Sequence, residues 1–294
     1  MTVATYCCLD YVRAMCIFDN HLGCKRLMQS LVVILLSVSV LTATFTRNVE
    51  AATSGLPHSD LRLINAGTHN GTLLAGIDIV MEPHVKTYWR MPGDSGLPPI
   101  FDWSASDNLA TILVLWPLPD RIQDPAGTIL GYYDDVIFPV QVTPKDPTKP
   151  VHLILKLDYA VCGELCVPMT GRADVTLSGI QDNGPDSARV NAFLARVPRS
   201  VPFGVTLTSV SPDPNTNDAL LVTVKEPLTD LFVEGPEGWY FGDAKAISPL
   251  QWRVLILQHP TTAVLSGAAL VFTLISNGSA TETKVTLDAT GAIR

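Results

Sequence analysis

The sequence predicts an all-β protein built as two sandwich or barrel domains, and three observations carry that prediction. Short strand-like runs recur along the chain, separated by clusters of Pro, Gly, Asn and Asp. Several runs alternate apolar and polar residues with period two, as in Val151-His152-Leu153-Ile154-Leu155-Lys156-Leu157. One stretch alone reads convincingly as helix, "DSARVNAFLARVP" from Asp186 to Pro198. Regularly spaced short strands with turn signals between them are the signature of sandwiches and barrels.

Taken in order, the runs are "TLLAGIDIVM" (72–81), "ATILVLWP" (110–117), "DVIFPVQVTP" (135–144), "VHLILKLDYA" (151–160) and "ADVTLSGI" (173–180) in the first half. The second half has "GVTLTSVSP" (204–212), "ALLVTVKEP" (219–227), "WRVLILQHP" (252–260), "ALVFTLISNG" (269–278) and "TKVTLDATG" (283–291). The helical stretch follows "GIQDNGPD" and sits between the two groups as a connector, with Asp186 or Ser187 as its cap and Pro198 as its stop. The expected organisation is a leader over 1–51, a first β domain over 52–182, a helical linker over 183–199 and a second β domain over 200–294. Asn70-Gly71-Thr72 and Asn277-Gly278-Ser279 match a glycosylation sequon and are read here as turns.

The leader reading rests on Lys25 and Arg26 before an apolar run from Leu31 to Leu41, then Val49-Glu50-Ala51 before Ala52. Basic residues, a short apolar core and a small-x-small cleavage pattern describe a secretory signal peptide. A retained anchor needs about 20 apolar residues, and this run is shorter and is interrupted by Ser37, Ser39, Thr42 and Thr44. The residues before it suggest an over-long start, with initiation at Met15 or Met28. No cysteine marks a lipoprotein, and a lone Lys-Arg pair is not a twin-arginine signal. Cleavage near Ala51 would leave 16 basic and 25 acidic residues, a net charge of −9. Such an acidic chain argues against nucleic acid and anionic membrane surfaces as partners. With no second long apolar run, no stable membrane anchor is expected after processing.

Beyond Cys24 the chain has two cysteines, Cys162 and Cys166, in "LDYAVCGELCVP". In an oxidising compartment they are expected to pair, the three-residue spacer allowing a Cα separation of about 4.4–6.8 Å. A staple across so short a loop is worth roughly 2 kcal/mol, against about 4.7 kcal/mol for a 100-residue loop. Reversible exchange needs an accessible pair with one attacking and one resolving sulfur, and Pro168 just beyond puts the second cysteine at a strand edge or end. A zinc site needs four ligands, whereas His58, His69, His84, His152 and His259 form no paired motif. No metal site is assigned. Copper(I) on the two thiols, with Met169 as an extra donor, stays open, as does a purely structural disulfide. "GDSG" at 93–96 looks like a serine-protease tetrapeptide but lacks a His and Asp context, so Ser95 is rejected as a nucleophile; Gly93 and Gly96 are expected to permit positive φ in that loop.

The blocks "HVKTYWRMPGDSGLPPIFDWSASDN", "WPLPDR", "GYYDDVIFPVQVTP" and "LKLDYAVCGELCVP" together resemble the N-terminal periplasmic domain of the thiol:disulfide interchange protein DsbD, in the version found in copper-tolerance proteins of the ScsB type. The resemblance covers roughly residues 57–180. It implies immunoglobulin-like sandwiches, a periplasmic location, no cofactor, and Cys162 and Cys166 as a redox-active pair, Cys166 being the sulfur that meets the partner. It also implies a thiol-disulfide oxidoreductase module that exchanges with thioredoxin-like periplasmic proteins or a membrane thiol-transfer protein. Such partners would be separate proteins, since this chain shows neither the multi-helix membrane domain nor the thioredoxin-like domain of full-length members. Tyr88, Trp89 and Arg90 match a strand beside the cysteines, and "DRIQDPAGTILGYYDD" falls where the family caps its disulfide. Tyr88, Trp89, Arg90, Tyr132, Tyr133 and Tyr159 are thus the candidate shielding or supporting residues. The spacer Gly163-Glu164-Leu165 is shorter than in the best-studied family arrangement, so loop geometry does not carry over. Three readings follow: a thiol-disulfide exchange protein, a copper(I)-handling protein on the same thiols, and a non-catalytic adaptor with a structural disulfide.

Overall fold

The structure, a computed structural model, describes residues 58–93, 96–124, 127–178, 184–216, 218–260 and 265–293. The expected leader, its cleavage site and Ser95 lie outside the described residues. The first ten strands are β1 (Ser59–His69), β2 (Thr72–Met81), β3 (Lys86–Gly93), β4 (Ile100–Asp102), β5 (Leu109–Val114), β6 (Asp120–Asp124), β7 (Gly127–Tyr133), β8 (Asp135–Pro144), β9 (Val151–Cys162) and β10 (Cys166–Leu177). They form two antiparallel sheets, ordered β1-β2-β8-β5 and β10-β9-β3-β7-β6, with β4 also pairing β9. Helix α1 (Pro185–Leu194) follows.

The remaining strands are β11 (Arg199–Ser200), β12 (Leu207–Pro212), β13 (Ala219–Val224), β14 (Asp230–Glu234), β15 (Tyr240–Phe241), β16 (Lys245–Ser248), β17 (Gln251–Gln258), β18 (Ala269–Ser276) and β19 (Ser279–Thr286). Their sheets run β11-β19-β18-β14 and β12-β13-β17-β15, with β16 also on β17. Both halves are therefore sandwiches, and the all-β prediction holds.

The period-two patterns decide which side chains fill each core, because successive strand residues point to opposite faces. Along β9, Val151, Leu153, Leu155, Leu157, Tyr159 and Val161 are buried in the main core, facing Val136, Phe138, Val140 and Val142 of β8. His152, Ile154, Lys156 and Asp158 lie on the other face, partly open to solvent. The second core is organised in the same way around Val222, Trp252, Val254 and Phe272. The two Asn-Gly sequences are the two-residue turns joining β1 to β2 and β18 to β19. Asn70, Gly71, Asn277 and Gly278 all take positive φ, as mirror-image hairpin turns require.

Helix α1 does more than connect. Val190 is fully buried against Ile64, Leu74 and Ile137 on the outer face of the first sandwich. Its approach is so close that a Cβ on Gly76 would lie 2.6 Å from the Val190 side chain. Arg189 and Arg62 both bind the enclosed carboxylate of Asp78 at 2.7 Å. The capping expectation is corrected: Gly184 occupies the N-cap and Pro185 opens the helix, where its missing N–H costs nothing. Asp186 instead pairs with Arg62, and the Ser187 hydroxyl donates to the Ala66 carbonyl.

The cores of the two sandwiches meet. Phe232 of β14 and Ile275 of β18 join the buried cluster of the first sandwich, and the Phe232 ring lies 5.7 Å from Trp89. No helix among the described residues is long and apolar enough to cross a membrane.

Candidate functional site

Cys162 ends β9 and Cys166 begins β10, so the three-residue spacer is the tip of a hairpin. The two cysteines stand directly opposite each other in the ladder and are joined as a disulfide. Their Cα atoms are 4.0 Å apart, slightly under the expected window, because they are the closing pair of a tight hairpin. Strand β10 forms the end of its sheet, pairing with β9 alone among the described strands. The two sulfurs consequently differ in access: Cys162 is 1% exposed, whereas Cys166 is exposed.

Strand alternation places the pair on the outer face of the sheet. Cys162 has the parity of Lys156 and Asp158, opposite to Tyr159 and Val161. Ladder partners share a face, so one row runs across four strands as Cys166, Cys162, Lys86 and Tyr133. Lys86, 8% exposed, flanks the buried cysteine, and its backbone neighbour Thr87 donates from its hydroxyl to the Ala160 carbonyl. Over this outer face lies a small apolar cluster of Tyr88, Ile122, Ile129, Ala160 and Cys162, separate from the main core. The Tyr88 hydroxyl is 2.9 Å from Cys162 Sγ and 3.5 Å from Cys166 Sγ.

The cover is made by two segments. Strands β6 and β7 form a hairpin in which Ile122 pairs with Ile129. The loop after β3 presses on the Tyr88 ring at Gly96, where an added Cβ would lie 2.5 Å from Tyr88 Cδ1. Gly96 is thus required for space, and only Gly93 of the two loop glycines takes positive φ, at 84°. Strand β7 also needs a glycine: a Cβ on Gly131 would fall 2.2 Å from the Thr87 carbonyl oxygen. A Gly131→Ala variant is expected to push β7 off β3 and cost about 1–3 kcal/mol, the range for overpacking a tight contact. Urea unfolding with unchanged slope checks this.

The six aromatic and basic candidates separate by face. Tyr88 reaches the sulfurs. Tyr133 shares their face but stands two strands from Cys162, roughly 10 Å along the sheet, and is 41% exposed. Trp89, Tyr132 and Tyr159 point into the main core on the opposite side. Tyr132 donates to the Pro117 carbonyl at 2.7 Å, and burial pushes its phenol well above the ordinary range. Tyr159 hydrogen-bonds Ser59 at 2.8 Å.

Trp89 and Arg90 lie in an irregularity of β3, between the Tyr88–Gly131 and Gly93–Ile129 pairs. This directs Arg90 to the second sandwich, where it binds Glu234 at 2.7 Å and also Glu282. Met169, raised as a copper donor, has the opposite parity to Cys166 and packs toward the main core. Among the described residues no three His, Cys, Asp or Glu side chains converge as a metal-binding group.

Sequence reasoning missed Ile122, Ile129, Ala160 and Lys86. The isoleucines sat in plain view inside the proposed cap segment, where the paired tyrosines drew attention instead.

Comparison with known proteins agrees with this geometry. Residues 56–178 match the family model described as "Thiol:disulfide interchange protein DsbD, N-terminal". No curated protein matches the sequence. Among solved structures, the crystal structure of the N-terminal periplasmic domain of ScsB from Proteus mirabilis superposes with a TM-score of 0.58 at 18% identity. That match covers 79% of this chain and 92% of the other, so the likeness takes in both sandwiches. The segment that carries the disulfide, residues 56–178, thus matches the model of the DsbD N-terminal domain family, and most of the chain shares its fold with the ScsB domain.

Proposed function

We propose that this protein performs thiol-disulfide exchange through Cys162 and Cys166 in the periplasm, passing reducing equivalents between separate redox partners. The observation that carries the reading is the asymmetry of the pair, one exposed sulfur at a sheet edge joined to one buried sulfur beside a tyrosine hydroxyl. A staple gains nothing from that arrangement, and exchange requires it: access governs which sulfur is attacked.

The step is a two-electron transfer. A donor thiolate attacks Cys166 Sγ, and the Cys162–Cys166 bond breaks as Cys162 leaves as a thiolate. The donor's second thiol then displaces Cys166 from the mixed disulfide, leaving the donor oxidised and this pair reduced, the two protons passing from the donor's thiols to this pair. The reverse sequence hands the electrons on. The Tyr88 hydroxyl is in position to donate to the departing Cys162 thiolate, which lowers a thiol pKa. The donor class supported by family membership is a thioredoxin-like protein or a membrane thiol-transfer protein.

The equilibrium potential of the pair tests the reading. An exchanging pair should equilibrate with glutathione or thioredoxin buffers, above about −300 mV, whereas a value below that marks a structural disulfide. A Tyr88→Phe variant keeps the ring and removes the donor. It is expected to raise the Cys162 thiol pKa by about one unit, since hydrogen bonds to charged groups are worth about 1.5–3 kcal/mol and 1.36 kcal/mol is one unit. Thiolate ultraviolet absorbance against pH, in a Cys166→Ser background, measures it; an unchanged titration would remove Tyr88 from the mechanism.

A further inference from the structure

Among the described residues, Lys86 is the charged side chain buried on the same face as the sulfur that leaves. It stands directly across the ladder from Cys162. Partners in an antiparallel ladder have Cα atoms about 4.5–5.5 Å apart and side chains on one face. The next residue on that face of β3 is Tyr88, whose hydroxyl is 2.9 Å from Cys162 Sγ. Lys86 is 8% exposed and Cys162 1%, so both are shielded from solvent. Burying an ammonium is costly, and lysine is rarely found so enclosed. A position that needed only filling would be served better by an apolar residue.

Other charged groups share the outer face: Lys156 and Asp158 of β9, Asp102 of β4, Arg172 of β10 and Asp120 of β6, while Glu164 sits at the hairpin tip. Each of these is exposed or half-exposed, where water and salt screen it. A buried charge is screened much less.

The disulfide places no charge on Cys162. When a donor thiolate attacks Cys166 Sγ, the bond between the cysteines breaks and its electron pair goes to Cys162 Sγ. A full negative charge then appears in an enclosed site, where burial opposes it. The Tyr88 hydroxyl answers it with a dipole, and Lys86 can answer it with an opposite charge.

We propose that Lys86 is a further residue of the exchange site, its ammonium stabilising the Cys162 thiolate that forms as the disulfide opens and that attacks Cys166 when it closes again. This rests on the exchange reading and deepens it: the sulfur that no partner reaches is made the good leaving group. Lys86 transfers no proton in either direction.

The test is titration of the Cys162 thiol, by thiolate ultraviolet absorbance, in the full chain carrying Cys166→Ser. Lys86→Met and Lys86→Gln are each expected to raise its pKa by about one unit or more, the effect of losing an opposite charge about 4–6 Å away. Lys86→Arg, which keeps the charge, should preserve most of the effect. The difference between Lys86 and Lys86→Met should persist in about 1 M salt, which screens exposed charges. With both cysteines present, Lys86→Met should slow reduction by dithiothreitol roughly threefold, because a thiol of higher pKa is the poorer leaving group. Loss of packing alone would lower stability without moving the titration.

An unchanged titration in both Lys86→Met and Lys86→Gln would overturn the proposal, and so would an equal rise in Lys86→Arg. In either case a wild-type pair that equilibrates with glutathione would keep the exchange reading. A wild-type pair that does not equilibrate would remove that reading and the proposal with it.

Discussion

A Cys162→Ser variant is expected to accumulate a mixed disulfide between Cys166 and its redox partner in vivo, seen as a reducible band of higher mass on a gel. The reason is the unequal placement of the sulfurs. Cys166 starts an edge strand and is open to solvent, so an incoming thiol or disulfide reaches it. Cys162, 1% exposed, is on the proposed mechanism the sulfur that resolves the adduct from within the hairpin, and its removal should leave the adduct without an exit. The serine keeps a hydroxyl beside Tyr88, so the local hydrogen bonding survives the change.

The reciprocal Cys166→Ser variant keeps only the buried sulfur and should trap at least tenfold less, since exchange rates depend on access to the attacked atom. Equal trapping by the two variants would abolish the division of roles. No adduct from either, together with unchanged redox states of candidate partners in a deletion strain, would favour an adaptor with a structural disulfide.

The second large effect is expected at Arg90, which sits far from the chemistry assigned to its neighbour Tyr88. Its guanidinium stacks over Trp89 at 4.5 Å and bridges Glu234 of β14 and Glu282 of β19. Burial opposes the charge, but the two carboxylates outweigh it and the guanidinium pKa is raised. Both glutamates are less than a fifth exposed, so Arg90→Met strands two neighbouring carboxylates at the junction of the sandwiches.

Breaking buried pairs costs about 3–5 kcal/mol, and the residual exposure here places the expected loss near the lower end, about 3 kcal/mol. For a chain of this size that is a fall in melting midpoint of roughly 6–12 °C. The single unfolding transition should split as the sandwiches uncouple. Arg90→Lys should recover little, because an ammonium cannot serve two carboxylates with a planar fork. The triple variant Arg90→Met, Glu234→Gln, Glu282→Gln should recover most of the loss, since no buried charge is left unpaired. A change within about 0.5 kcal/mol and one unbroken transition for Arg90→Met would refute the argument, that being the ordinary range of surface substitutions.

Much of the site was legible in the sequence, and the legible part is local. The alternation from Val151 to Val161 places Leu153, Leu155, Leu157 and Tyr159 on one face and carries Cys162 to the other. The same count would have set Tyr159 aside as a core residue. Pro168 correctly signalled the sheet edge, and the Asn-Gly pairs signalled their turns, because φ > 0 at two adjacent positions is a demand on the backbone that few residues meet. By contrast, "KTYW" has no alternation to count, since Lys86, Thr87, Tyr88 and Trp89 are all buried, two on each face.

By itself, then, the sequence determined the strand rhythm and the fold class, and predicted the pairing of the two cysteines. Each of these follows from periodicity, turn chemistry or short spacing along one stretch of chain, whereas the likeness to DsbD N-terminal domains rests on the resemblance of whole residue blocks. Only the tertiary structure decided which aromatic ring meets the sulfurs, what covers the buried one and where the second sandwich meets the first. Arg90 leaves the outer-face pattern of Lys86 and Tyr88 because β3 loses its regular pairing with β7 at that point, and its partners lie far along the chain: Glu234 is 144 residues from Arg90, and Glu282 is 192. Ile122 reaches Cys162 only because β6 folds back on β7 and β7 joins β3. Contacts of that separation depend on how whole sheets pack, and no local pattern of residue types encodes them.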